Sequence, residues 1–394
     1  ARASYQFILP RMDLFAQATR QHAAPQTAIT TFPGMDANGA LAFTTTRVDL
    51  PEYNRPDYNL GVRLTQPIFD GGRWWQAIAK GESDYRAAEA QRSEAKLQVH
   101  VTVAHLFFEL VRAERSLAVL LVNEQRSEEQ LARASALFDA ARGPKSDLLA
   151  AKVNLANDRM ATVAQRQRVD LARGSLNVAL GMASTHTWTP VPPDLMRRPT
   201  SPVLDLVEAQ ALKDRPGLGA LRESQQASES AVSMARADYL PTLSAQASYV
   251  RGSPDASLVF GDPSRQYVAT GTLNLTWNLF AGATTDVAVN KAKLASAQTE
   301  AQLLKSTRAV REEVWRAVRQ LQAGLDALAL AEEAFAAAQE GLALADERYR
   351  LGAGSNLEAR DAQLKLTSAE LALLSTRIDV QLADIDTRAV MGGF

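Results

Sequence analysis

The chain carries one pattern twice. Leu64-Thr65-Gln66-Pro67-Ile68-Phe69-Asp70-Gly71 recurs as Leu275-Thr276-Trp277-Asn278-Leu279-Phe280-Ala281-Gly282, an offset of 211 residues from 64 to 275. The same offset carries Val103, Leu110 and Leu117 to Val314, Leu321 and Leu328, Phe138 to Tyr349, Gly143 to Gly354, and Leu180-Gly181 to Met391-Gly392. One offset held without a gap from 64 to 181 means that a whole structural unit is duplicated. Upstream, Ala1-Arg2-Ala3-Ser4-Tyr5 resembles Ala235-Arg236-Ala237-Asp238-Tyr239 at an offset of 234, so the first copy is 23 residues longer there. The excess falls at about 24–56, which carries Pro25, Pro33, Pro51 and Pro56 and reads as a long, mobile loop.

Each copy reads as strand, loop, strand, long helix, turn and helix. Strands are expected at about 10–20, 57–69, 243–251 and 267–280. In the last, Tyr267, Ala269, Leu273, Leu275, Trp277 and Leu279 alternate with Thr270, Thr272, Asn274, Thr276 and Asn278. In the first copy Tyr58, Leu60, Val62, Leu64 and Ile68 oppose Asn59, Arg63 and Thr65. Period-two alternation gives a strand one apolar and one polar face. For any single strand, a half-buried sheet in a soluble domain would look the same.

Residues of about 72–141 and 283–352 lack proline and have helical periodicity. At 1.5 Å per residue, each ~70-residue helix is about 105 Å long. Val314, Leu321, Leu328, Phe335, Leu342 and Tyr349 are seven apart, and Ala317, Gly324, Ala331, Ala338 and Ala345 form a second seam of small residues. The first copy repeats the seam with Val103, Leu110, Leu117, Leu131 and Phe138, broken at Glu124. A sustained heptad means coiled-coil packing. The return helices, about 146–182 and 355–391, are ~37 residues and about 56 Å long. A proline-rich linker over 184–215 separates the first repeat (1–183) from the second (216–394), which opens with a helix at about 216–237. That helix stacked on a return helix would balance one long helix, and the duplication predicts a similar helix upstream of Ala1.

Composition excludes several classes. The 43 Lys+Arg and 44 Asp+Glu nearly cancel and the pI is near 6.5, so no basic face for nucleic acid is expected. With no cysteine, disulfides and thiolate chemistry are excluded for this stretch. No run of 18 apolar residues exists, so membrane spanning would have to rest on strands. His22, His100, His105 and His186 lack metal-ligand spacing. Gly352-Ala353-Gly354 joins helix to helix rather than following a strand, and reads as a turn rather than a phosphate loop. No nucleophile motif is present, so neither an enzyme nor a cofactor is expected. The informative polar residues lie just past the helix–helix turns. Glu358 and Asp361 share one helical face, and Asp147 is the equivalent of Glu358. Acids there also suit the positive end of a helix.

The motif Leu-Thr-x-x-hydrophobic-Phe-x-Gly at 64–71 and 275–282, Tyr349-Arg350-Leu351-Gly352 leading to Leu357-Glu358-Ala359-Arg360-Asp361-Ala362, and Leu-Pro at 9–10 and 240–241 resemble the TolC family of outer-membrane efflux proteins. The resemblance covers essentially the whole chain. It implies a mixed α and β membrane protein, a homotrimer whose twelve-stranded outer-membrane β-barrel, four strands per chain, continues as a long α-helical coiled-coil barrel in the periplasm. The physics agrees, since four strands cannot close a barrel and open edges cannot face lipid. Phe69, Trp74, Trp75, Trp277 and Phe280 would form an aromatic girdle at the outer-membrane lipid interface. The resemblance implies passage of small toxic molecules, not catalysis, with an inner-membrane pump and a periplasmic adaptor (membrane fusion protein) as partners. The adaptor would dock at the turns of Gly143, Lys145 and Ser146 and of Gly352, Gly354 and Ser355. Asp147 and Tyr349 match family positions that link helices in the closed gate, and Glu358 and Asp361 match its luminal acidic ring. Gly354 stands where a basic link is found in the family. The long loop at 24–56 would face the exterior. The exit duct of a type I protein secretion system would share these features, whereas a soluble coiled-coil scaffold would form no pore.

Overall fold

The computed structural model describes residues 9–37, 39–188, 190–191, 194–262 and 264–393. They fall into two compact units, Ala1–Tyr85 with Gln225–Gln298 and Arg86–Ser224 with Thr299–Phe394.

The first unit is built on an antiparallel sheet of β1 (Arg11–Ala23), β4 (Tyr53–Asp70), β5 (Thr242–Ser253) and β6 (Tyr267–Thr276), in the order β1-β4-β5-β6. Each repeat therefore contributes two neighbouring strands. The register aligns Leu14 with Val62, Val62 with Tyr249, and Tyr249 with Ala269, so the apolar faces of all four strands coincide. One row of the polar face is apolar, with Phe15, Gly61, Val250 and Val268 aligned across the four strands, and Phe15 is its one aromatic member. Its ring occupies the space over Gly61, where an added Cβ would come within 2.8 Å, and the Arg63 guanidinium lies 5.2 Å from the ring centre. Pro67 coincides with a register shift between Pro67 and Phe69, a bulge that tolerates the missing N–H.

Two expectations are corrected here. The stretch at 24–56 is not a loop. It contains β2 (Gln26–Met35) and β3 (Leu41–Leu50), an antiparallel pair rich in threonine and apolar residues. Pro25 and Pro51 mark its joints, and Pro56 sits where β4 has β1 as its one neighbour, positions that cost few ladder hydrogen bonds. The strand expected to reach 280 ends at Thr276. The chain then enters the helix through consecutive left-handed residues, Gly282 (φ 59°) and Ala283 (φ 64°). The first copy makes the same corner with Gly71 (φ 72°) and Gly72 (φ 85°). This corner is why the repeated motif ends in glycine.

The second unit is helical. Its elements include most of α1 (Arg73–Asp139), α2 (Lys145–Ala179), α3 (Leu204–Asp214), the start of α4 (Pro216–Arg236), most of α6 (Thr284–Arg350), and α7 (Asn356–Val390). A short α5 (Ala256–Phe260) belongs to the strand unit. The heptad seam of α6 is buried as Val314, Leu321 and Leu328, with Leu373, Val380 and Ala383 of α7 packed against its lower part. A Cβ on Gly324 would stand 3.2 Å from Val380, so the small-residue seam does bring these helices close. In the first copy Leu110 and Ala113 pack on Val169 and Leu176 of α2, while the adjoining face, Phe108 and Val111, packs on Ile378 of α7.

The linker expected over 184–215 is partly helical. Val207 and Ala211 of α3, four apart, are buried with Leu218, Val310 and Val390. Pro216 opens α4, where its missing N–H costs nothing, and Glu94 of α1 accepts the Gly217 N–H at 2.9 Å. After α2 the fully buried Asn177 fixes the chain. Its amide donates to the carbonyls of Ser184 (3.2 Å) and His186 (2.8 Å), and its oxygen accepts the Trp188 Nε1–H at 2.7 Å.

Candidate functional sites on the strands and at the helix tips

The apolar face of the sheet is uncovered within one chain: Leu14 is 74% exposed and Leu273 71%. The opposite face presents Gln17, Asn59, Arg63, Gln246, Ser248, Thr270, Thr272 and Asn274. Aromatic side chains bound the apolar face at both ends. At the end near the helices, Phe69, Trp75, Trp277 and Phe280 are exposed, and the half-buried Trp74 stacks on Trp75 with ring centres 4.4 Å apart. The Trp277 indole N–H donates to the Tyr239 carbonyl at 3.1 Å. At the other end Tyr249 stacks on Tyr267 at 5.2 Å, with Tyr58 on the same face of β4. From Tyr267 to Trp277 the chain rises about 34 Å, or about 25 Å of height at the roughly 40° tilt of barrel strands, the thickness of an outer-membrane apolar band. The tyrosine belt was missed in the sequence, although all three residues stand at strand ends remote from the helix junctions. Beside it, Arg251 is buried and donates to the carbonyls of Leu258 (2.8 Å), Gly261 (3.0 Å) and Asp262 (2.7 Å), so its charge is not left bare on the apolar face.

The two helix tips have one design. At the second, Ala353 N–H donates to Arg348 O at 2.9 Å and Gly352 N–H to Tyr349 O at 3.1 Å, with Gly352 left-handed at φ 74°. At the first, Arg142 donates to Leu137 O (2.8 Å) and Ala141 to Phe138 O (2.9 Å), but the left-handed position is Ala141, at φ 57°. Both are Schellman closures. Gly143 and Gly354 then pass over the ends of α1 and α6, where a Cβ would come within 3.1 Å of Leu137 and 3.2 Å of Arg348. A side chain at 354 would therefore need the end of α6 to shift by a few tenths of an ångström. Ser355 caps α7 by accepting the Glu358 N–H at 3.1 Å, whereas Pro144 precedes Lys145 and Ser146 without a side-chain cap.

Asp147 is half-buried in the first turn of α2, and Tyr349 is half-buried in the last turn of α6. Among the described residues no hydrogen bond joins the two within one chain. Glu358 and Asp361 are both exposed on α7 and each has a cation near: Arg348 lies 3.9 Å from Glu358, and Lys365 lies 2.7 Å from Asp361.

Between these two acids Arg360 turns inward, and here the sequence reading missed a cluster. Its guanidinium grips Asp158 of α2 with two bonds of 2.9 Å and reaches Ser127 Oγ of α1 at 2.9 Å. Gln363 donates to Asn123 Oδ1 at 2.9 Å and accepts from Gln130 at 2.7 Å, and Thr367 donates to Asn123 Oδ1 at 3.0 Å. Asn123, Ser127, Asp158, Arg360, Gln363 and Thr367 are all buried. α1 supplies 123, 127 and 130 and α7 supplies 360, 363 and 367, each set at helical spacing, while α2 supplies Asp158. The helices thus join here through a polar layer instead of an apolar seam. The break at Glu124 is explained nearby, where Arg159 lies 3.4 Å from it and donates to Glu128 at 2.7 Å.

The chain matches the family profile described as outer membrane efflux protein over residues 9–182 and 207–393. It belongs to that family. The match leaves out only the start, the end and the segment between the repeats. The outer membrane efflux protein BepC of Brucella suis biovar 1 (strain 1330) is 24% identical over 328 residues, 82% of this chain and 70% of BepC. The crystal structure of CusC, described with transmembrane channel formation, superposes with a TM-score of 0.82 at 16% identity, covering 100% of this chain and 85% of CusC. VceC of Vibrio cholerae superposes at 0.80 and 16% identity, covering 100% and 89%. The efflux-protein fold is therefore shared along the whole chain, and the protein resides in the outer membrane. Among its described residues no helix is long and apolar enough to cross a bilayer. The strands carry an uncovered apolar face with aromatic side chains at both ends.

Proposed function

We propose that three copies of this chain form a passive efflux conduit that carries small toxic molecules to the exterior. The observation that carries the reading is the sheet: one uncovered apolar face, one polar face, and two open edges, β1 and β6. Such a sheet is unstable in lipid until its edges are paired. Because β1 and β6 run antiparallel, the β6 edge of one copy can extend onto the β1 edge of the next, and three copies give twelve strands around a polar lumen. An uncovered apolar stripe on α2, including Val153, Met160, Val163, Leu171 and Val178, supports side-by-side packing of copies in the helical part as well.

A periplasmic adaptor would meet the tips around Gly143, Lys145 and Ser146 and around Gly352, Gly354 and Ser355, and an inner-membrane pump would supply the energy. Asp147, Tyr349, Glu358 and Asp361 would form the gate, with Asp147 and Tyr349 acting between helices of different copies. Mass measurement in detergent is expected to give three chains, and planar bilayers should show discrete conductance. A monodisperse monomer without conductance would refute the reading.

A further inference from the structure

β5 and β6 stop at Ser253 and Tyr267, but β1 and β4 continue as a two-stranded ribbon. Of its first five rungs, Thr19↔Asp57 to Ala23↔Tyr53, the first four are polar: Arg20 donates to Asn54 at 2.9 Å, and His22 lies 3.7 Å from Glu52. The register then carries through the proline joints, since Ala23↔Tyr53 is followed by Gln26↔Leu50. β2 and β3 thus extend the same hairpin by ten further rungs, to Met35↔Leu41.

This outer part is unlike a solvated hairpin. Ile29, Met35, Leu41 and Phe43 are exposed on one face and Phe32 and Val48 on the other. β2 has no charged residue, and β3 has Arg47 and Asp49. Both outer edges are unpaired among the described residues of one chain. An isolated two-stranded hairpin is marginal in water, and natural proteins guard a free edge with charges, which β2 lacks. Bilayer hydrocarbon cannot be the cover, because four polar rungs, about 14 Å, lie between the tyrosine belt and β2 and β3.

Resting on the trimeric reading above, we infer that the β2–β3 ribbons of three copies pair edge to edge into a six-stranded collar over the exterior mouth. The neighbouring copies stand on the same rim, and their ribbons continue the strands through which the barrel would close. β2 ascends and β3 descends, so β3 of one copy meets β2 of the next antiparallel, in the same sense as β6 meets β1. Going from four strands per copy to two halves the ring. Because about eight strands already make a barrel that side chains fill, six leave no wide lumen of their own, and the collar keeps bulky molecules out while ions and small solutes pass between the two-stranded ribbons beneath it.

The absence of cysteine makes the test clean. In a closed collar, equivalent residues of two copies are two strands apart, about 10 Å. Thr31→Cys in intact outer membranes should give covalent dimers of the chain with a bis-maleimide of that reach, while Leu273→Cys, in the lipid band, should not. In a second variant, Asn-Gly replaces residues 27–49 and joins the paired Gln26 and Leu50 through a tight turn. A bulky water-soluble maleimide added to cells should fail to label Thr272→Cys, on the lumen face, while the ribbons are present. Protection should be lost when they are removed. If the protein is a conducting trimer but Thr31→Cys gives no dimers, or Thr272→Cys is labelled equally with and without ribbons, the collar is wrong and the conduit stands. Cross-linking of Thr31→Cys to a different protein would also overturn it. Absence of a trimer in the parent protein would instead overturn the conduit reading.

Discussion

Asp158→Ala should be among the most damaging single substitutions in the helical unit. The residue is 7% exposed and holds Arg360, 9% exposed, through two bonds of 2.9 Å. Truncation leaves the guanidinium buried with Ser127 Oγ as its one remaining acceptor, and its Nε already lacks a partner among the described residues. Breaking a buried ion pair from one side costs about 3–5 kcal/mol, mostly the desolvation of the orphaned charge. Removing both charges with apolar residues of similar bulk, Asp158→Leu with Arg360→Met, removes that penalty and should land within about 1 kcal/mol of the parent or above it. Denaturant unfolding of the detergent-solubilised protein, followed by helical circular dichroism, gives both numbers. A single variant within about 1 kcal/mol of the parent would contradict the reasoning, as would a double variant as unstable as the single.

Ala141→Gly should stabilise by about 1 kcal/mol, because it removes a Cβ from a left-handed residue, and Gly352→Ala should cost a similar amount; thermal unfolding of both variants tests the pair. Replacing Glu358 and Asp361 together by Ala should weaken cation selectivity in bilayer recordings and leave assembly intact, with unchanged selectivity assigning both acids to helix capping instead. The β5–β6 loop should depend on acid. Ser264 hydrogen bonds hold the Asp262 carboxyl below its ordinary range, and the Ser257 N–H does the same for Asp255. A lowered folded pKa means that the support is complete above about pH 4 and is lost as pH falls through the depressed values. Amide exchange at Ser257 and Ser264, corrected for intrinsic rate, should show protection failing only in that acid range, and protection lost already near neutrality would refute it.

The long helices were legible because a heptad of apolar residues reports burial directly, and Val314, Leu321 and Leu328 are buried as the seam requires. The strands were legible for the same reason at period two. Alternation reports faces and not hydrogen bonds, however, so it ran past Thr276 through Trp277 and Leu279, where the ladder had ended. The β2–β3 ribbon was obscured by four prolines, although two lie at joints and Pro56 beside a single neighbour. Within the proline-rich linker, α3 shows itself only by the four-residue spacing of Val207 and Ala211. The polar layer at the helix tips was the least visible feature. Arg360, Gln363 and Thr367 have the spacing of a helix face but the chemistry of a solvated one, and only their partners on α1 and α2 reveal burial.

The central claim is that the sheet has one side in lipid and the other in water. It is tested most directly by single cysteines along β6, from Val268 to Leu275, in the otherwise cysteine-free chain in outer membranes. Water-soluble maleimide, given access from the periplasmic side, should label positions 268, 270, 272 and 274, while a spin label at 269, 271, 273 and 275 should be relaxed by a lipid-dissolved quencher. Labelling of both sets from water, without period two, would contradict the account.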